Sequence, residues 1–378
     1  LWGSPQHSAQ ETANKKQSIQ AGVWSTTVHN QEVYALQASS HVEHIPHMTA
    51  VLVEGVFDLA HVGHFNAFRK ARGLADRLVV GINSDDTVEE AKGTRPIFSA
   101  SERAEILSAC KFVDQVIQGL DYYITFEWFE STGIDFIAHG DDDVLVDGKD
   151  LYAPWKAAGK FKSFSRTCGV STTALLARIH TAGCVLNRRP VPAVGPSAMH
   201  SMTIGTREVA QFASPLRIPQ QDDRVVYVDG CFDILHPGLI RQLRAAKLRG
   251  TYLIVGVFDD ASCQELYKHE CFPVLGLMER VLSVLSLRVV DDVVIGAPLA
   301  PSPVFMHEQR INVVVERERS PFDFSHISNL EVASIPVEPS TAEVYARVSD
   351  ANAAETLLRI ETKRLQEEHY YDALLTSV

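Results

Sequence analysis

The sequence has no Cys-x-x-Cys pair. Its six cysteines, Cys110, Cys168, Cys184, Cys231, Cys263 and Cys271, are scattered along the chain. That scatter excludes the ligand spacing of a zinc module and a dense disulfide framework, and it suits a reducing compartment. No apolar run approaches the ~20 residues that a bilayer-crossing helix needs. The opening stretch LWGSPQHSAQETANKKQSIQAG has no apolar core of the kind a secretory leader carries. Positive charge is also short: 35 Lys and Arg stand against 47 Asp and Glu, a net charge of -12. A general nucleic-acid binder would show a basic face, so that class is set aside. Single anion sites remain compatible with an acidic chain.

What is present is an ordinary globular composition, 46% hydrophobic and 22% charged over 378 residues, enough for two or three domains. Residues 1–48 are polar, without a sustained period, and read as a disordered tail. Residues 49–182 alternate short apolar runs with helical patterns. TAVLVEGVFDLA, DRLVVGIN, VDQVIQG and IDFIAHG read as strands. SASERAEILSACKF reads as a helix opened by Ser99 and Glu102. STTALLARIHTAG reads as a closing helix. This rhythm predicts an α/β fold with a parallel sheet covered on both faces. Residues 183–222, rich in Pro, Ser and Gly, read as a linker. Residues 223–350 then repeat the first unit in order at a nearly constant offset: GVFDLAHVGHF returns as GCFDILHPGLI, and IDFIAHGD as INVVVERE. The chain is therefore expected to hold two similar domains. Residues 351–378 read as a C-terminal helix with a narrow apolar face, suited to packing or solvent rather than to a membrane surface.

The two copies differ in a particular way. Both keep the strand, the Phe-Asp pair, the first histidine and the glycine. The second copy has Leu239 where the first has His64, and Glu316 where the first has His139. The run RTCGVSTT, Arg166 to Thr173, is expected to have no counterpart there. Polar groups lost from a retained apolar skeleton suggest chemistry confined to the first copy. The geometry supports this. A strand ends, the chain turns at Gly63 and a helix begins, which presents unpaired N–H groups and a positive dipole end to an anion. His61 and His64 can converge there on one phosphate, an arrangement suited to phosphoryl or nucleotidyl transfer. A histidine pair alone is as readily a solvated or core pair. Likewise Ser171, Thr172 and Thr173 alone read as a helix cap, and Lys92, in EEAKGTRP, as a loop lysine. Arg166, shortly before the cap, strengthens the anion-site reading.

Together these residues resemble a known family. HVGH looks like the His-x-Gly-His signature of the nucleotidyltransferase superfamily, and RTCGVSTT resembles the signature of its cytidylyltransferase branch. The segment from His139 to Thr173 is similar over its whole length to ethanolamine-phosphate cytidylyltransferases, themselves tandems of two such domains. The resemblance implies two Rossmann-like domains and an enzyme that transfers the cytidylyl group of CTP, with accompanying Mg²⁺, to phosphoethanolamine. The implied setting is cytoplasmic, with at most peripheral contact with the endoplasmic reticulum. His61 and His64 would bind the CTP phosphates and stabilise the transition state, and Lys92 would bind phosphate near the α position. Arg166, the backbone of Gly169 and Val170, and the hydroxyls of Ser171 and Thr172 would hold the β- and γ-phosphates. Gly55, Val56, Phe57, Asp58 and Gly63 would line the nucleotide at the first strand end, and Asp85 would lie near the ribose or base. His139 and Asp142, with Lys92, would meet the phospho-alcohol, and Tyr122 would wall its amine. The second domain would be inert; supporting a homodimer, docking on the first domain and regulating it all stay open. So do transfer to phosphocholine or glycerol phosphate, adenylyl transfer and a non-catalytic nucleotide-binding scaffold.

Overall fold

The computed structural model describes residues 48–142, 144–146, 149–167, 169–186, 205–215, 217–267, 273–316, 324 and 329–350. The expected tail up to residue 47, the middle of the linker at 187–204 and the expected helix after residue 350 lie outside them.

The first half is a five-stranded parallel sheet. Its strands are β1 (Ala50–Gly55), β2 (Arg77–Asn83), β3 (Gln115–Leu120), β4 (Phe136–Gly140) and β7 (Phe161–Phe164), ordered β3-β2-β1-β4-β7. β1 lies at the centre, and its Ala50–Val53 stretch is buried, as a strand covered on both faces requires. The helices α1 (Val62–Arg72), α2 (Asp85–Lys92), α3 (Ala100–Ala109) and α4 (Phe126–Ser131) make crossovers, and α6 (Thr172–Leu186) follows the last strand. A two-stranded ribbon, β5 (Leu145–Val146) and β6 (Lys149–Asp150), and the short α5 (Ala153–Ala157) fill the stretch between β4 and β7. Ser99 and Glu102 form the capping box of α3 that the sequence suggested. Lys92 is not on a loop: it closes α2, and Gly93, at φ 71°, ends that helix in the left-handed conformation.

The second half repeats this plan with β8 (Val225–Gly230), β9 (Tyr252–Phe258), β10 (Asp292–Ala297), β11 (Ile311–Glu316) and β12 (Glu331–Ser334), ordered β10-β9-β8-β11-β12. Its helices are α8 (Pro237–Lys247), α9 (Asp260–Tyr267), α10 (Leu277–Leu285), α11 (Pro303–Glu308) and α12 (Thr341–Asp350). The last part of the linker is packed structure: α7 (Thr206–Ala213) buries Phe212 against Phe112 and Arg69.

The halves dock on each other. One apolar core runs through both. Where α3 and α10 end, the two segments pair antiparallel: Lys111 N–H donates to Ser286 O and Arg288 N–H to Ala109 O, each at 2.8 Å. Cys110 and Leu287 face each other at this bridge, and both lie in corresponding places of the repeat.

Candidate active site

The site is built where β1 ends. Phe57 and Leu59 take positive φ values of 51° and 46° there, a conformation that costs about 1–3 kcal/mol per residue and persists only where the surroundings hold it. Asp58 supplies that hold. Its carboxylate accepts the N–H groups of Leu59, Ile97 and Phe98 at 3.0, 2.6 and 3.0 Å. Burial pushes its pKa up, against those bonds and nearby Arg103. The fully buried Arg103 donates to Val56 O, Phe98 O, Asn83 O and Asp85 Oδ1. Asp85 also accepts Ala100 N–H at 3.1 Å. Asp58 and Asp85, expected as nucleotide contacts, also belong to an internal frame that shapes the loop.

His61 caps α1. Its Nδ1 accepts Gly63 N–H at 3.1 Å, so the proton of the neutral ring belongs on Nε2. Nε2 lies 3.4 Å from the Thr172 hydroxyl at the start of α6. His64, in the first turn of α1, stacks on His61 with ring centres 4.0 Å apart and meets Phe57 edge-on at 5.4 Å. Gly63 has no room for a side chain: a Cβ would stand 2.9 Å from His61 Cε1 and 3.4 Å from a Val170 methyl. The two signature segments, far apart in the chain, therefore meet, and the N-termini of α1 and α6 adjoin. Ser171 Oγ caps α6 by accepting Ala174 N–H at 3.1 Å. Gly169, at φ 76°, supplies the left-handed turn before it.

Arg166 stands on the other flank. Asp141 accepts its N–H at 3.0 Å, and its guanidinium donates to Asp142 at 3.0 Å. The other Asp142 oxygen is 3.8 Å from His139 Nδ1. Burial lowers the His139 pKa, with Asp142 opposing, so the ring is neutral near pH 7. Asn66 on α1 donates to Thr167 at 2.9 Å, and Lys70 to Ser165, so α1 also steadies the Arg166 loop.

Beyond His139 lie two residues that the sequence reading missed, Tyr152 and Glu54. The His139 ring lies on Tyr152 at 5.1 Å, and the Tyr152 hydroxyl donates to Glu54 at 2.8 Å. Burial raises the Glu54 pKa, against the bonds from Tyr152 and Asn83. Burial, then Tyr123 and the Glu54 charge, raise the Tyr122 pKa, and Lys92 lies 5.5 Å from the Tyr122 ring centre. The signal was visible: Glu54 is the one acid in the apolar strand AVLVEG, half-buried at the end of the central strand where ligands of parallel sheets bind.

The second half holds a closed copy of this site. Contrary to the expectation, RTCGVSTT has a counterpart in the fold: β12, the stretch IPVEPS and α12 follow β11 as β7, SRTCGVS and α6 follow β4. The hydroxyl persists, with Thr341 Oγ1 2.9 Å from His236 Nε2. The arginine does not, and the loop has moved in. A Cβ on Gly238 would stand only 2.2 Å from Pro339 O, and Cys231 to Ile240 are all buried. A carbonyl oxygen therefore crowds the helix N-terminus where an anion would sit.

This closure carries a pH signature. Burial, with Arg347 adding repulsion and Glu343 opposing, pulls the His236 pKa from 6.5 down to about 4. Between those values the unfolded chain binds the proton and the folded chain does not, so stability falls as pH drops through that window and is fully present above it. The full difference is on the order of 3 kcal/mol. Urea unfolding at pH 7 and pH 4.5 should show wild type losing roughly 2–3 kcal/mol more than His236→Gln; equal losses would exclude this histidine as the source.

A parallel-sheet domain that brings two helix N-termini and a histidine pair together beyond its central strand is a nucleotide-binding domain of the transferring kind. The cytidylyltransferase-like family model matches residues 52–178 and again 227–364, and the chain belongs to that family. An ethanolamine-phosphate cytidylyltransferase of Dictyostelium discoideum is 38% identical over 84% of this chain and 92% of its own length. One from Arabidopsis thaliana is 34% identical over 85% of each. A probable choline-phosphate cytidylyltransferase of Schizosaccharomyces pombe is 40% identical, but over only 34% of this chain and 36% of its own. The tandem length is thus shared with the ethanolamine-phosphate enzymes.

Proposed function

We propose that this chain transfers the cytidylyl group of CTP to phosphoethanolamine, giving CDP-ethanolamine and pyrophosphate. The observation that carries the reading is the 3.4 Å approach of Thr172 to His61, which joins the two nucleotide signatures at one spot. A phosphate oxygen of phosphoethanolamine attacks the α-phosphorus. The new P–O bond forms as the bond to the β-phosphate bridge breaks, and pyrophosphate leaves with the electron pair. The attacking oxygen is already anionic, so no general base is needed. The work is alignment and charge stabilisation. His61 Nε2–H, His64 and the α6 N-terminus face the phosphates, and Lys92 and Arg166 neutralise charge from the flanks.

Mg²⁺ would accompany CTP and supply charge neutralisation on the triphosphate, held largely by the nucleotide and water, as is usual for this ion. Asp58 does not fit a metal ligand, because three backbone N–H groups already occupy its carboxylate.

Glu54, Tyr122 and Tyr152 form the amine pocket in this reading. A carboxylate and a tyrosine hydroxyl accept hydrogen bonds from a primary ammonium, which a quaternary ammonium cannot donate. Pyrophosphate release should be measured with CTP and each of phosphoethanolamine, phosphocholine and glycerol 3-phosphate. The highest kcat/KM is expected with phosphoethanolamine; preference for either of the others would overturn the assignment. Release with ATP but not CTP would overturn the nucleotide.

A further inference from the structure

The second half keeps an elaborate polar frame although its own site is closed. Asp233 accepts Val274 N–H at 2.8 Å and Leu275 N–H at 2.7 Å, and the Tyr345 hydroxyl donates to it. The fully buried Arg280 donates to Leu275 O, Cys231 O and Asp260. Together they fix the turn from Val274 to Gly276 and the first turn of α10. That turn faces the catalytic half. Arg178 of α6 donates to both oxygens of Glu279, at 2.8 and 3.0 Å, and to Val274 O at 3.3 Å.

The repeat makes this tie reciprocal, but the two versions are unequal. Arg347 of α12 reaches Glu102 of α3 through one contact at 2.7 Å, with the side chains 42% and 20% exposed. Arg178 and Glu279 are 17% and 2% exposed and pair through two prongs. The stronger tie is the one that grips the helix carrying Ser171 and Thr172. Arg178 sits less than two turns beyond Thr172, about 9 Å along the axis. A forked arginine–carboxylate pair fixes orientation as well as distance, and it sets how α6 is rotated about its own axis. A small rotation there would carry the Thr172 hydroxyl away from His61.

We propose that Arg178 and Glu279 are positioning residues for the transfer: the closed second half acts as a fixed bracket that aims the N-terminus of α6 at the CTP phosphates. This rests on the cytidylyl-transfer reading. It predicts an effect confined to the nucleotide, because the amine pocket around Glu54 and Tyr152 hangs on other elements.

The test is steady-state kinetics on the full chain carrying Glu279→Gln, which retains one acceptor, and on Arg178→Lys, which retains charge without the fork. Both are measured well below their melting temperatures, with CTP affinity read in parallel by calorimetry. Glu279→Gln should raise the KM and Kd for CTP roughly tenfold, with the KM for phosphoethanolamine within twofold of wild type, and Arg178→Lys should fall between. Unchanged CTP affinity in both folded variants overturns the proposal. So does a parallel loss in both substrates, which marks a merely structural pair. If wild type itself fails to turn over CTP and phosphoethanolamine, the functional reading fails instead.

Discussion

His64→Ala should lower kcat by about two to three orders of magnitude and leave the fold intact. The magnitude is that of removing one preorganised donor from a developing charge, roughly 2.7–4 kcal/mol of barrier. His64 is the sharper of the two histidines to test. His61 is the N-cap of α1, and its Nδ1 takes Gly63 N–H, so replacing it confounds chemistry with helix stability. His64 lies inside the first turn, where alanine is a better helix former than histidine. Its ring stacks on His61 and meets Phe57, so truncation opens a small gap at a half-buried position. Stopped-time assays at saturating CTP and phosphoethanolamine, beside thermal melts, check the prediction. Turnover within tenfold of wild type in a variant that melts normally would falsify the role given to this ring.

The second large effect is expected at Glu54. Glu54→Gln removes the charge but keeps an acceptor for the Tyr152 hydroxyl, so the local packing should survive. A hydrogen bond to a charged group contributes about 1.5–3 kcal/mol, which corresponds to a KM for phosphoethanolamine raised roughly 10- to 150-fold. The KM for CTP should stay put. Acid adds an independent check. Burial raises the Glu54 pKa above the ordinary 4.5, and the ammonium needs the ionised form. Wild-type affinity for phosphoethanolamine should therefore weaken as pH falls towards that raised value, and the variant should lack that dependence. A variant with the same pH profile as wild type would remove Glu54 from the amine pocket.

Much of this could be read from the chain itself. The central strands are unbroken apolar runs, and the α3 capping box is spelled out by Ser99 and Glu102. The pairing of HVGH with RTCGVSTT pointed to a site whose two parts do adjoin. The fifth strands, β7 and β12, were not legible. FKSF and EVAS are four-residue edge strands, half exposed and interrupted by Lys, Ser or Glu, so they lack the apolar signature of a buried strand. The counterpart of RTCGVSTT was hidden for a related reason: IPVEPST keeps the hydroxyl of Thr341 but not the arginine, and only the fold shows that it occupies the same place. Asp58 and Asp85 illustrate a different limit. Their bonds to backbone N–H groups brought in from residues 97, 98 and 100 depend on tertiary folding, which the sequence does not spell out.

The antiparallel bridge between residues 109–111 and 286–288 has a consequence for how the catalytic half meets its partner. In an assembly of separate chains, a contact of this kind is governed by mass action and thins out as the solution is diluted. Here both surfaces belong to one polypeptide, so the encounter is intramolecular and each face sees the other at a fixed effective concentration. The bracket on the catalytic helix therefore travels with every molecule, however scarce the protein becomes.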